Sequence, residues 1–139
     1  MELAFAFFAY AAQTSEDGQL HIIGGNFDAI GGTSLPANLP PFTLVVKFDV
    51  DPEDAGRDHN ISIDLTRPVS GRVQLQAPFP IKTMVHPRHP RRKTSATIVV
   101  HLMLHVESEG EYLFHIMLDN REVKALPLYV EVQPPPTKE

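Results

Sequence analysis

The chain has 139 residues, with 12 Lys and Arg against 17 Asp and Glu for a formal charge of -5, and it contains neither cysteine nor tryptophan. That length suits one domain, and an apolar fraction of 42% supplies a core, which excludes disorder as a description of the whole. The missing cysteines exclude disulfides, thiolate metal sites and a cysteine nucleophile, and a net negative chain is not an obvious nucleic-acid binder.

Leu3 to Ala12 is apolar and ends in the small-residue pattern Ala9-Tyr10-Ala11. Glu2 stands where a signal peptide carries Lys or Arg, and the stretch is shorter than the ~15–30 residues usual for one. It is also too short for the ~20 residues of a membrane span. The expectation is a first strand apolar on both faces, in a cytoplasmic protein with no membrane partner. Asp17-Gly18 supplies the positive φ of a tight turn, so a hairpin joins this strand to Leu20 through Ile23. Gly24-Gly25 and Gly31-Gly32 open no helix and read as bulges or turns, not phosphate loops.

From Phe42 onward the signal is period two. Phe42, Leu44, Val46, Phe48 and Val50 form one row, Ile61, Ile63 and Leu65 a second, and Val73 and Leu75 a third. Ile98, Val100, Leu102, Leu104 and Val106 read as one longer strand, followed by Tyr112, Phe114, Ile116 and Leu118. Each row predicts a half-buried strand, and no window carries the spacing of an amphipathic helix. The 13 prolines, including Pro40-Pro41, Pro52, Pro68, Pro78 and Pro80, mark connections, because proline cannot donate to a ladder. Seven to nine short strands predict an all-β sandwich or small barrel over residues 1–132, with 133–139 as a proline-rich tail. Asp119-Asn120 predicts a second hairpin. Gly110-Glu111-Tyr112 heads its first strand, and two readings of Tyr112 stay open. Either its hydroxyl closes a corner onto backbone, as in immunoglobulin-like sandwiches, or the ring packs in the core with the hydroxyl at the rim.

Ala9-Tyr10-Ala11-Ala12-Gln13, Asp17 to Gly24, Phe27-Asp28, Phe42 to Val50, Gly110-Glu111-Tyr112, Phe114, Ile116, Asp119 and Leu126-Pro127-Leu128 form a set. That set resembles an uncharacterised bacterial family of short immunoglobulin-like β-sandwich domains. The resemblance implies an antiparallel immunoglobulin-like sandwich of about 7–9 strands and carries over no catalytic residue. The stretch Lys82 to Lys93 departs from the pattern by its length and its charge. It holds five basic residues, Lys82, Arg88, Arg91, Arg92 and Lys93, and no acid. Its prolines predict an extended loop, and its charge is read first as solvation and second as an arm for phosphates, nucleic acid or an acidic surface. No aromatic in it offers a stacking platform for bases.

Seven histidines raise a metal hypothesis that spacing weakens. His101 and His105, four residues apart on one strand, stand roughly 13 Å apart, whereas zinc ligands lie about 2.1 Å from the metal. His86 and His89 lack an orienting carboxylate. No metal and no cofactor is expected. Strand parity instead places Val99, His101, Met103 and His105 on one outward row and Leu113, His115 and Met117 on the next. These residues are apolar or amphipathic where a solvated face is polar, and Phe5 and Phe7 extend the pattern. A partner surface is favoured over cover by the chain's own loops, its contacts being Phe5, Phe7, His101, Met103, His105, His115 and Met117.

No GxSxG, P-loop, GxGxxG or HExxH is present, and Asp58-His59 is a dyad in sequence only. The expected function is a non-catalytic interaction or structural module that self-associates or docks on a larger assembly. Anion or nucleic-acid binding through 82–93 is the first alternative. A small-ligand or metal-dependent enzyme on the histidine face is the second.

Overall fold

The structure is a computed structural model that describes residues 1–32 and 34–132, so the proline-rich tail lies outside the described residues. All regular structure among them is β, in eleven runs: β1 (Glu2–Thr14), β2 (Leu20–Phe27), β3 (Ala29–Gly32), β4 (Ala37–Asn38), β5 (Phe42–Val50), β6 (His59–Arg67), β7 (Gly71–Ile81), β8 (Thr94–Leu102), β9 (His105–Val106), β10 (Gly110–Leu118) and β11 (Arg121–Val132). Sheet A has the order β2-β1-β5-β8, sheet B the order β3-β11-β10-β6-β7, and β4 and β9 form a small ribbon. Nine strands thus make the two main sheets. All pairs are antiparallel except β3 with β11.

The inner rows of both sheets meet in one core. Leu44, Val46 and Phe48 of sheet A lie in the same buried cluster as Ile61, Ile63, Leu65, Phe114 and Ile116 of sheet B. Rings bridge the layers, with Phe8 5.0 Å from Phe114 and Phe42 6.4 Å from it, both edge to face. Each fully buried aromatic or aliphatic side chain of this kind contributes about 1.5–3 kcal/mol of transfer free energy.

Both predicted hairpins are present. The first closes between Ser15 and Gln19 with Gly18 at φ 82°, and the second is a two-residue turn with Asp119 and Asn120 at φ 50° and 65°. Positive φ at both central residues matches the right-handed twist of the flanking strands. Gly24 lies in β2 at φ 62°, where a Cβ would sit 2.5 Å from the Tyr10 ring. That ring instead stacks on Phe27 at 4.5 Å. Tyr112 satisfies both of its readings, since the ring is buried and Oη donates to the Ser108 carbonyl at 2.8 Å.

Three expectations are corrected. Pro78-Phe79-Pro80 is not a connection but part of β7, which tolerates proline because it is the edge of sheet B and its missing N–H faces outward. The row Ile98 to Val106 is not one strand. β8 ends at Leu102, and β9 pairs with β4 beyond a break, while Leu104 and Val106 keep their buried parity. The outward rows of β8 and β10 are not neighbours, because β8 lies in sheet A and β10 in sheet B.

Candidate functional site

The outer face of sheet A includes four rows running across the strands: Glu2–Asp49–Ser95, Phe5–Lys47–Thr97, Phe7–Val45–Val99 and Ala9–Thr43–His101, of which the first carries two carboxylates. Alternation puts these side chains opposite the core, yet the row Phe7–Val45–Val99 is wholly apolar. Val45 and Ala9 are buried there under Phe7, Leu20 and Val99, a second small cluster outside the core. Phe5 stacks on Phe7 at 5.6 Å, and the Lys47 ammonium lies 5.9 Å from the Phe5 ring centre. Thr43 Oγ1 donates to the Ala9 carbonyl at 3.0 Å, which satisfies the one buried hydroxyl of that face.

The outer face of sheet B is built differently. Its rows include Arg72–Thr66–Leu113–Pro127 and Gln74–Asp64–His115–Ala125. Arg72 pairs with Asp64 at 2.9 Å and reaches the Met117 sulfur. His115 is buried at 7% exposure, with Nδ1 on a Glu122 carboxylate oxygen and Nε2 2.7 Å from Thr66 Oγ1. The expected surface set is therefore divided. Phe5, Phe7, His101 and Met103 belong to the sheet A side, where Met103 is 80% exposed just past β8. His105 is exposed on the small ribbon, its Nδ1 2.8 Å from Asn38 Oδ1. His115 and Met117 lie on the other side of the molecule, and His115 is withdrawn from contact because its partners Thr66 and Glu122 close over it.

Hydroxyl, imidazole and carboxylate in series have the order of a nucleophile, its base and an orienting acid. Thr66, however, is the penultimate residue of β6, paired with Leu113 of β10 and Arg72 of β7. The series ties three strands together: β6 through Thr66, β10 through His115 and β11 through Glu122.

A second histidine pairing was visible in sequence only with the wrong partner. His59 Nδ1 is 2.8 Å from Asp119 Oδ2 and Nε2 is 3.2 Å from the Asp54 carbonyl, whereas Asp58 takes no part. Both ring nitrogens face oxygen acceptors, so the imidazolium, a double donor, is the favoured form. The hydrogen bond to Asp119 raises the His59 pKa against a smaller opposing cost of burial. Asp119 is lowered, first by the Asn60 N–H at 2.8 Å and then by His59. The ring thereby clamps the β10–β11 turn to β6.

The loop 82–93 has no regular structure, as expected, and is held by one backbone tie to the rest of the chain and by a turn of its own. Gly56 N–H donates to the Thr83 carbonyl at 2.6 Å, and His86 Nδ1 accepts from the Arg88 and His89 N–H groups. Lys82, Arg88, Arg91, Arg92 and Lys93 are all exposed. Lys93 comes within 3.5 Å of Asp51. A cavity of about 490 Å³ beside the loop is lined by Lys47, Asp49, His86, Arg92 and Lys93 among others, so cations in it are met by a carboxylate. Among the described residues no group of three or more His, Asp or Glu gathers to hold a metal, and no helix is long and apolar enough to cross a membrane.

The comparison with curated proteins and that with solved structures return no match. The profile of a family of unknown function, DUF6941, matches residues 4–131, the whole of both main sheets but for one or two terminal residues, and the chain belongs to that family.

Proposed function

We propose that this chain is a non-catalytic interaction module on an immunoglobulin-like sandwich, and that it works by self-association through sheet A. The observation that carries the reading is the outer face of that sheet, where the row Phe7–Val45–Val99 is apolar and Phe5 and Met103 remain exposed. A solvated antiparallel face is ordinarily polar, and an apolar one marks a contact surface. The finer fold assignment is supported by the shared core of two facing sheets and by the Tyr112 hydroxyl closing back onto backbone. A chain without cysteine suits a reducing cytoplasm. The engagement of both His59 ring nitrogens by Asp119 and the Asp54 carbonyl favours a structural role for that ring.

Light scattering over a wide range of concentration tests the reading. The expected result is a mass that rises from one chain towards two, and a weaker rise for Met103→Lys, which adds charge to the exposed end of the face. A mass of one chain at every concentration overturns it.

A further inference from the structure

Four strands border the two sheets, and three of them carry devices that discourage pairing with another chain. β2 contains Gly24-Gly25 and a bulge at Asn26, which has φ 63°. β3 has four residues. β7 contains Pro78 and Pro80, a charged Arg72 and two register shifts against β6. β8 has none of these. Its nine residues, Thr-Ser-Ala-Thr-Ile-Val-Val-His-Leu, include no proline, glycine, Lys, Arg, Asp or Glu, and it pairs with β5 over its whole length without a register shift. Every second residue of such a strand aims its N–H and C=O away from β5. Among the described residues no strand lies on that side, and no backbone hydrogen bond from a turn or loop reaches the row.

Resting on the self-association reading above, we propose that the occupant of this edge is β8 of a second copy, paired antiparallel about a twofold axis with Ile98 opposite its own counterpart. Two observations select a second copy over an unrelated strand. The first is parity. In this register Thr94 meets Leu102 and Ala96 meets Val100 on the core side, while Thr97 meets Val99 and Ser95 meets His101 on the outer side. Core-facing residues therefore meet core-facing residues, no pair includes a full charge, and the two sheets A become one eight-stranded sheet. The second is charge. Arg91, Arg92 and Lys93 immediately precede β8, and the exposed Glu107 follows after its end, beyond β9, whereas Glu109 is held on the Val132 N–H of β11. Antiparallel pairing brings the cationic end of one strand to the acidic end of the other, twice by symmetry. The basic loop thereby acquires a target within the protein's own dimer.

The chain's lack of cysteine makes the test clean. Directly opposite residues have Cα atoms about 4.5–5.5 Å apart, inside the range a disulfide spans. Ser95→Cys and His101→Cys chains, both altered at exposed positions, are oxidised separately and as a mixture. The proposal predicts cross-linked dimer several-fold more abundant in the mixture than in either variant alone. It also predicts that Thr97→Lys, with its fold verified by circular dichroism, loses the dimer seen by light scattering. An unaltered dimer in Thr97→Lys together with no cross-link in the mixture overturns the β8 edge and leaves self-association standing. A single-chain mass for the unaltered protein at all concentrations overturns both.

Discussion

At the scale of single residues, two contacts set local stability. His59 is held as a double donor between Asp119 and the Asp54 carbonyl, and its pKa is raised. A raised histidine contributes stability that is complete below its unfolded value of about 6.5 and is lost as pH climbs through the folded value. Asp119 is lowered, so its share is present above about 3.8 and is lost as pH falls through its folded value. The pair is strongest between those limits. His59→Gln is expected to cost about 0.5–1 kcal/mol near pH 6, since Asp119 is half-exposed, and to remove the decline in stability above pH 6.5. Urea midpoints at a series of pH values measure this, and an unchanged pH profile contradicts it. Tyr112→Phe keeps the buried ring and deletes the hydrogen bond to Ser108, so a loss of about 1 kcal/mol in denaturant unfolding is expected. Asp119 and Tyr112 could be singled out from sequence because a turn and a strand head announce themselves locally. His59 with Asp119, and Thr66 with His115 and Glu122, are pairings across strands, and no local pattern reports them.

At the scale of elements, period two located the strands, since one face of each packs on the core and the other does not. The rows Phe42 to Val50, Ile61 to Leu65 and Tyr112 to Leu118 correspond to β5, β6 and β10. Parity is silent about neighbours, however. His101 and His115 share an outward parity, but lie on β8 and β10 in different sheets. Proline was misleading in β7 because its cost vanishes where the N–H has no ladder partner, a property of edge position that only the assembled sheet defines. The same dependence on position gives β8 its meaning. Its uncharged sequence would be ordinary in a sheet centre and is conspicuous at an edge.

At the scale of the whole molecule, the two outer faces differ in make-up. The outer face of sheet B is mixed, with Leu113, Met117 and Pro127 among polar groups tied by the Asp64–Arg72 pair and the Thr66–His115–Glu122 series. Sheet A presents the apolar row Phe7–Val45–Val99 and ends in an unprotected edge, with the basic loop entering that edge at Thr94. Charge in the chain is segregated in the same sense, because Lys82 to Lys93 carries no acid while the remainder is acidic. Under the proposed self-association, sheet A is the side that meets the partner. Amide hydrogen exchange at low and high protein concentration tests this most directly. Alternate amides along Thr94 to Leu102 are expected to slow markedly as concentration rises, with those on the open edge of β7 unaffected. Exchange in β8 that is independent of concentration would contradict the assignment of the β8 edge as the interface.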